Sequence, residues 1–189
     1  MRRVYQYAYH DAIASDLPEH SRIAHVYDKP DLADAYAVRL PVNAIDNPEL
    51  LARFIFAQQA PWVTSLMGLR DVLVAGFGLK TSRQLGAAGA STSARDGQHI
   101  QIFRIIEKSA DEIVLGENDK HLDFRLSVML HTTSTHNELQ RYLTLSTVVH
   151  CHNILGHTYI RLIAPFHRAI VQSFLRRAAL KGWPVVKAD

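Results

Sequence analysis

The sequence predicts one α+β domain in which a curved antiparallel sheet wraps around a long C-terminal helix. Residues 122–130 and 139–152 alternate apolar and polar side chains, as neighbouring β-strands with one buried face do. Residues 156–180 instead repeat apolar side chains at the three- and four-residue spacing of an amphipathic helix. Because each pattern leaves one apolar face to bury, the sheet and the closing helix are expected to share a single core.

The composition is that of an ordinary globular domain. The chain has 189 residues, of which 48% are hydrophobic and 21% are charged. A chain of this length buries roughly 70% of its unfolded surface, so it needs neither a disulfide nor a structural metal to fold. Its single cysteine, Cys151, excludes an internal disulfide and indicates a reducing compartment. Since no apolar run approaches the roughly 20 residues of a membrane-spanning helix, a cytoplasmic protein is predicted.

Patterns along the chain distinguish three parts. Residues 1–30 show no sustained period and predict an irregular N-terminal lead-in. Residues 31–182 are expected to form the domain itself, and residues 183–189 are expected to form a short tail. Within the domain, residues 33–40 alternate well enough to predict a first strand, which ends at Pro41.

Two helices are expected after that strand. Asn47 and Pro48 mark the start of the first helix, because an asparagine side chain caps free backbone N–H groups and a proline fits the first helical turn. This helix is expected to end before Pro61, which opens a second helix that stops at Gly78. The glycine-rich residues 81–98 then predict a long loop.

The second half of the chain predicts a meander of antiparallel strands followed by a helix. The expected strands are 100–106, 112–115, 122–130 and 139–152, with a turn at 132–137. Pro165 lies inside the final helix and lacks a backbone donor, so a kink or a fresh helix start is expected there. The apolar stripe of this helix consists of Tyr159, Ile163, Phe166, Ile170 and Phe174.

A resemblance to a known family adds to these patterns. It rests on short segments spread over most of the chain: 17–21 (LPEHS), 33–36 (ADAY), 61–63 (PWV), 69–71 (LRD), 78–80 (GLK), 115–125 (LGENDKHLDFR), 153–156 (NILG) and 165–168 (PFHR). Together they resemble the family called domain of unknown function 2867. The order of elements resembles the helix-grip fold of START-like, Bet v 1-like and polyketide-cyclase proteins. The resemblance implies a cavity between sheet and helix that holds an apolar ligand, and it implies no reaction.

The densest polar cluster lies near the start of the strand 122–130. His121, Asp123 and Arg125 alternate onto one face of this strand. A histidine beside a carboxylate could act as an acid or a base, and the arginine could hold an anionic group of a substrate. The alternative is structural, because Asp123 and Arg125 could form ion pairs on the outer face while the apolar face of the strand receives the helix.

Histidines are numerous in this sequence, which has 11 of them. His150 and His152 share one strand face at a spacing that suits a metal ion, and His121 or Asp123 could complete such a site. Hydrogen-bonded histidines at a strand end explain the same pattern, and no metal ligands and no cofactor are predicted. Alternation turns Cys151 to the opposite face, which predicts a buried structural cysteine.

The final helix carries a further candidate, His167, next to Arg168. A histidine that faces an apolar cavity could donate to a ligand carbonyl or transfer a proton. The alternative is a histidine whose hydrogen bonds are satisfied within the fold. Arg168 lies on the polar side of the helix and is expected to pair with an acidic residue or with solvent.

Three functions follow from these observations. The leading prediction is the binding of an apolar or amphipathic small molecule between the sheet and the final helix. An acid–base enzyme of the cyclase or isomerase type is the second, with His167, or His121 and Asp123, as catalytic residues. The third is an interaction module that uses the basic C-terminal helix. The residues predicted to contact the small molecule are Trp62, Leu66, Arg70, Phe124, Arg125, Tyr159, Phe166 and His167.

Charge and glycine patterns bear on the partners. No acidic residue lies between Glu138 and Asp189, which makes the last quarter of the chain basic. The basic residues are too widely spaced for a typical nucleic-acid module, so no nucleic-acid partner is predicted. Glycine pairs at 76/78 and 86/89 do not fit a phosphate-binding loop. An exposed sheet edge would allow a homodimer.

Overall fold

The computed structural model describes residues 11–58, 60, 62, 98–135 and 138–186. They form an antiparallel sheet with a long helix across one face, which confirms the α+β class. The predicted second helix, apart from Trp62, and the predicted loop 81–98, apart from Gln98, lie outside the described residues. The elements are β1 (Ile13–Ser15), β2 (Leu32–Arg39), α1 (Pro48–Phe56), β3 (His99–Ile100), β4 (Phe103–Lys108), β5 (Glu112–Asn118), β6 (Leu122–Thr135), β7 (Glu138–Cys151) and α2 (Ile154–Lys181).

The described strands make one sheet in the order β1-β2-β7-β6-β5-β4-β3, and every neighbouring pair is antiparallel. The first long strand, β2, therefore pairs with the last strand, β7. Strand β1 was not predicted, because residues 1–30 were expected to be irregular. It pairs with β2 along its whole length, and so short a strand shows no period in the sequence.

Strand lengths differ from the predicted ones in two places. The hairpin of β6 and β7 stays paired up to Thr135 and Glu138, so the expected turn 132–137 is mostly strand. The single strand expected at 100–106 is instead the pair β3 and β4. Gln101 lies between them with a φ of 55°, the left-handed conformation that reverses a chain within a few residues.

The face of the sheet that packs on the helices is called the inner face. Residues on directly paired positions share a face, so the register of β2, β7 and β6 aligns their apolar side chains on this side. The predicted alternation of 122–130, with its apolar side toward the C-terminal helix, is confirmed. The strands contribute Tyr36, Val38, Leu126, Val128, Leu143 and Leu145 to the main core.

Helix α1 begins where the sequence predicts. Asn47 Oδ1 accepts the backbone N–H of Leu50 at 3.0 Å, and Pro48 occupies the first turn. The helix buries Leu51 and Ile55 completely against the main core. Packing of its apolar face stabilises this helix, because an isolated helix of nine residues is only marginally stable in water.

Helix α2 is one continuous helix of 28 residues with Pro165 inside it, so the fresh helix start expected there is absent. Buried turns on both sides of Pro165, at Ile160 and Val171, hold the helix on the sheet and offset the lost hydrogen bond. The buried face also differs from the predicted stripe, because Phe166 is 45% exposed. The buried side chains are Ile160, Val171, Phe174, Leu175, Ala178 and Ala179.

The opposite, outer face of the sheet is covered by the N-terminal segment. Ile23 packs with Val114 and Val148, and the cluster is extended by the partly buried Leu17 and Tyr27. Residues expected to form an irregular lead-in therefore bury apolar surface of the sheet.

The same segment is held by a buried carboxylate of β5. Glu112 is only 2% exposed. It accepts hydrogen bonds from Ser21 Oγ at 2.6 Å, from the backbone N–H of Arg22 at 2.9 Å, and from Ser127 Oγ. Both carboxylate oxygens of Glu112 are thus used to fasten residues 21 and 22 to the sheet.

The basic residues of α2 have different surroundings. Arg161 and Arg176 are exposed. Arg177 Nε donates to the backbone oxygen of Gln58 at 3.2 Å.

No helix among the residues described above combines the length and the apolar character that crossing a membrane requires.

Candidate functional site

A layer of polar residues separates two apolar clusters on the inner face. The main core packs against α1 and the second half of α2. A smaller cluster near the start of α2 contains Leu32, Val149, Cys151 and Ile160, with Leu122, Phe124, Tyr159 and Ala164 beside them. Asp34, Thr147, His167 and Arg168 lie between the two clusters, and we call these four residues the inner polar site.

Strands β2 and β7 fix the sheet side of the inner polar site. Asp34 and Thr147 are directly paired across the two strands and therefore point to the same face. The flanking pairs are apolar, since Leu32 lies opposite Val149 and Tyr36 lies opposite Leu145. The Asp34 side chain is consequently 10% exposed although it is acidic.

Helix α2 supplies the other half of the site. His167 Nε2 lies 3.4 Å from Asp34 Oδ1, and Arg168 Nε lies 3.6 Å from Asp34 Oδ2. The His167 side chain is 23% exposed, whereas that of Arg168 is 52% exposed. Arg168 thus approaches an acidic residue from the solvent side, as the sequence predicts, and His167 reaches the apolar interior.

The polar atoms of this site are buried without being hydrogen-bonded. Within the described part of the chain, neither carboxylate oxygen of Asp34 has a hydrogen-bond partner, and the same holds for Thr147 Oγ1 and His167 Nε2 in this site and for Ser146 Oγ on the outer face. Leaving a buried polar group unsatisfied costs about 1–3 kcal/mol. Three of these residues belong to one small site, which makes the site a candidate for binding a polar group of another molecule.

The inner polar site is rich in hydrogen-bond acceptors. A carboxylate accepts hydrogen bonds from hydroxyl and amino groups, and an imidazole can donate or accept. Because the neighbouring side chains are apolar, such hydrogen bonds are stronger there than in water. The contact between Asp34 and His167 also has the form of a carboxylate that orients an imidazole.

The residues predicted to contact a small molecule are only partly brought together. His167 is in the inner polar site, and Phe124 and Tyr159 pack in the smaller cluster next to it. Phe166, on the exposed side of α2, does not share their position, and this corrects the predicted stripe. Trp62 is 41% exposed, and Leu66 and Arg70 lie outside the described residues.

Arg125 and Asp123 lie on the outer face, which corrects the expected contact of Arg125 with a ligand at the helix. Arg125 lies against Gly116, where an added Cβ would come within 2.9 Å of Arg125 Cδ, and it donates to the backbone oxygen of Phe124 at 2.8 Å. Asp123 Oδ1 lies 3.1 Å from His152 Nε2. The structural alternative for this strand predicted ion pairs of Asp123 and Arg125 on the outer face, and Asp123 there contacts His152.

His121 is separated from both of the other catalytic candidates. It is 8% exposed, and its Nδ1 lies 3.2 Å from Asn153 Oδ1, which also caps α2 by accepting the N–H of Gly156. His167 lies about 20 Å further along α2 than this cap, at about 1.5 Å of rise per residue. His121 and His167 thus do not border a common site, and the expected pairing of His121 with Asp123 is replaced by a contact with the helix cap.

The histidines of the outer face form a stack with a tyrosine. Tyr27 stacks on His150 with ring centroids 5.4 Å apart, and His150 meets His152 edge-on at the same separation. Burial raises the pKa of Tyr27; nearby Arg125 opposes this shift, and Asp123 adds to it. Tyr27 is therefore a neutral, packed side chain at physiological pH.

Cys151 is a buried thiol, as predicted. Its surroundings include a charge that the sequence did not indicate, because its backbone N–H donates to Asp31 Oδ2 at 2.7 Å. Burial raises the pKa of the Cys151 thiol to about 11, and the Asp31 carboxylate contributes to the rise. The thiol is protonated at neutral pH, which rules it out as an activated nucleophile in this state.

The family described as "Protein of unknown function (DUF2867)" matches residues 26–174. The chain belongs to this family. The matched range includes every residue of the inner polar site of this DUF2867 protein. It leaves out the N-terminal residues that fasten to Glu112. Searches of curated proteins and of solved structures found no match to the chain.

Sequence reasoning missed Asp34 and Thr147 as site residues. A signal for Asp34 is nevertheless present, because positions 32, 36 and 38 of the same strand face carry large apolar side chains and position 34 carries an acid. Thr147 gives no such signal, since threonine is common in buried strands. Its role depends on the pairing of β2 with β7, which joins residues far apart in the chain.

Proposed function

We propose that this DUF2867 protein binds an amphipathic small molecule between the inner face of its sheet and α2. The observation that carries the proposal is the buried carboxylate of Asp34, which accepts no hydrogen bond from the described residues and has Thr147 and His167 beside it in an apolar interface. A ligand with an apolar body and one hydrogen-bond donor would satisfy the carboxylate and pack on both apolar clusters.

The arrangement of the elements supports the same proposal. The first long strand pairs with the last strand, a meander connects them, and the final helix lies across the inner face. This order resembles the helix-grip fold of START-like proteins, which hold apolar ligands at this position. The family itself brings no reaction with it, so the ligand class has to be inferred from the side chains.

The inner polar site indicates the chemical class of the ligand. Asp34 as an anion accepts hydrogen bonds and repels other anions. Thr147 adds a hydroxyl that can donate or accept, and Arg168 stays half in solvent. An alcohol or amine on an apolar skeleton therefore fits better than a fatty acid or a phosphate ester.

Acid–base catalysis on the same scaffold is a second candidate, favoured by one specific observation. His167 Nε2 lies 3.4 Å from Asp34 Oδ1, so a small approach of the two side chains would let the carboxylate orient the imidazole for proton transfer. An enzyme of this kind would change its ligand, whereas a binding protein would return it unchanged. Mass spectrometry of the ligand after incubation with wild-type protein and with His167→Gln distinguishes the two.

Thermal unfolding with three matched probes tests the binding proposal. The probes are a medium-chain alkyl alcohol, the amine of the same chain length, and the corresponding alkane. A probe present at 100 times its dissociation constant stabilises the protein by about 2.7 kcal/mol, or an increase in Tm of roughly 5–10 °C. We expect this increase for the alcohol or the amine and a clearly smaller one for the alkane.

The Asp34→Asn variant identifies the contact. It should weaken binding of the preferred probe by about tenfold or more, because a hydrogen bond to a charged group contributes about 1.5–3 kcal/mol. Asp46→Asn, at a side chain that is 84% exposed and paired with Arg141, is the matched control and should bind like wild type. Equal stabilisation by all three probes, or the same affinity in Asp34→Asn, would contradict the proposal.

A further inference from the structure

A second group of chemically active side chains lies at the end of the sheet where α2 begins. Asp31 immediately precedes β2, Cys151 ends β7, and His157 lies in the first turns of α2. One potential ligand atom from each of the three lies within 4.8 Å of the other two. They come from three different elements, so the fold rather than local sequence brings them together.

The backbone around this group is held firmly. Asp31 donates its backbone N–H to the oxygen of Val149 at 2.8 Å, and its Oδ2 accepts the N–H of Cys151 at 2.7 Å. Gly156 sets the position of α2, because an added Cβ there would lie 2.3 Å from the backbone oxygen of His121. His157 follows Gly156 directly, and its Nδ1 lies 3.0 Å from Asp31 Oδ1.

A second imidazole lies beside Asp31 but outside this group of three. His150 Nδ1 lies 3.7 Å from Asp31 Oδ2. This nitrogen is buried, and it has no hydrogen-bond partner in the portion of the chain that is described. It therefore approaches the same carboxylate from the outer face, while Cys151 approaches it from the inner face.

We propose that Asp31, Cys151 and His157 bind a divalent transition-metal ion of the Zn²⁺ type. One sulfur, one carboxylate oxygen and imidazole nitrogens suit Zn²⁺ and Co²⁺, whereas Mg²⁺ and Ca²⁺ require oxygen ligands. Bonds of about 2.0–2.3 Å place tetrahedral donors about 3.3–3.8 Å apart. The ligand atoms of Asp31, Cys151 and His157, which lie within 4.8 Å of one another, need to approach by at most about 1.5 Å to reach that geometry.

Three protein donors would leave the fourth position of a tetrahedral ion to a water molecule. The metal would tie the approach to β2, the end of β7 and the start of α2 together. The Cys151 sulfur bonds to the metal as a thiolate, and its proton passes to solvent. The His157 side chain is 45% exposed, which gives the ion a route from solvent.

Cobalt absorption spectroscopy tests the site on the full chain. The chain has a single cysteine, so a thiolate-to-Co²⁺ charge-transfer band reports Cys151 alone, whatever the other histidines bind. We expect this band to saturate at one Co²⁺ per chain and to disappear when Zn²⁺ is added. The band should also be absent from Cys151→Ser.

Two variants distinguish a metal site built from several residues from cobalt binding to the Cys151 thiol alone. His157→Gln and Asp31→Asn should each weaken the cobalt affinity by at least about tenfold. His157 is a partly exposed helix residue, so its variant is expected to fold even if Asp31→Asn does not, and thermal unfolding of each variant checks this. His25→Gln, an exposed histidine of the N-terminal segment, is the control. No charge-transfer band in wild type, or an unchanged affinity in His157→Gln, overturns the proposal.

Discussion

Each face of the sheet buries one acidic side chain, but the two carboxylates differ in their hydrogen bonds. On the outer face, Glu112 accepts hydrogen bonds from Ser21, Ser127 and the backbone of Arg22. On the inner face, Asp34 has the side chains of His167 and Arg168 within 4 Å, and neither of its oxygens makes a hydrogen bond among the described residues. Both acids lie in β-strands and are at least nine-tenths buried.

This difference separates a structural acid from a candidate binding acid. A buried carboxylate whose oxygens are all used stabilises one arrangement of the chain, and here it fastens the N-terminal segment. A buried carboxylate with free acceptor capacity costs stability and is retained where it serves another purpose. The contrast can be tested by removing each acid in turn.

The largest effect is expected on the outer face. Glu112→Ala leaves the hydroxyls of Ser21 and Ser127 and the N–H of Arg22 buried without an acceptor, and each costs about 1–3 kcal/mol. We expect the free energy of unfolding to fall by about 3–5 kcal/mol, measured by urea titration.

Glu107→Ala is the control for Glu112→Ala. Glu107 pairs with Arg22 on the same segment, but both side chains are nearly half exposed, and surface ion pairs contribute about 0–1 kcal/mol. A loss of similar size in the two variants would show that the buried acid has no special role.

The inner face should respond differently to the loss of its acid. Asp34→Asn removes a buried charge that accepts no hydrogen bond and loses only its contact with the half-exposed Arg168, so its free energy of unfolding is expected to stay within about 1 kcal/mol of wild type. The same thermal scans without any probe measure this. A destabilisation as large as that of Glu112→Ala would make Asp34 a structural residue and remove the contrast.

The smallest effect concerns a histidine on the outer face. Burial lowers the pKa of His131 below its ordinary value of 6.5, and its Nε2 lies 2.8 Å from Thr144 Oγ1. The unfolded chain then binds this proton more readily than the folded one, so stability is complete above pH 6.5 and declines as the pH falls below it.

Urea titrations across this pH range test whether the free energy of unfolding falls on acidification, as predicted from His131. His131→Gln should lose less stability than wild type on acidification, because the group that takes up the proton is gone. The exposed His25→Gln should follow the wild-type profile. A steeper decline in His131→Gln than in wild type would mean that His131 is charged in the folded protein.

Much of the fold could be predicted because its long elements have clear periods. The hairpin of β6 and β7 alternates over most of its length, and Asn47 with Pro48 marks α1. Strand β1 could not be predicted, since its three residues gain their conformation only by pairing with β2. Short strands are tertiary features, and local sequence does not encode them.

The buried side of α2 shows a different limit. Its first half carries apolar residues all round, with Leu162 and Phe166 exposed and Ile160 buried. Several apolar stripes can then be drawn at helical spacing, and only the contact with the sheet selects one of them. The candidate site shows the same limit. His167 could be predicted from its position near the sheet, whereas the place of Asp34 beside it depends on the register of β2 and β7.

The fastening of the N-terminal segment bears on how the chain could be shortened. Residues 17–23 lie before the stretch 26–174 that matches the family, yet they supply Ser21 and the backbone of Arg22 to Glu112 and cover Val114 and Val148. Removing only the residues before position 26 would strip this cover from the sheet. A trimmed chain is therefore expected to aggregate. The folded domain begins earlier in the sequence than the stretch that matches the family.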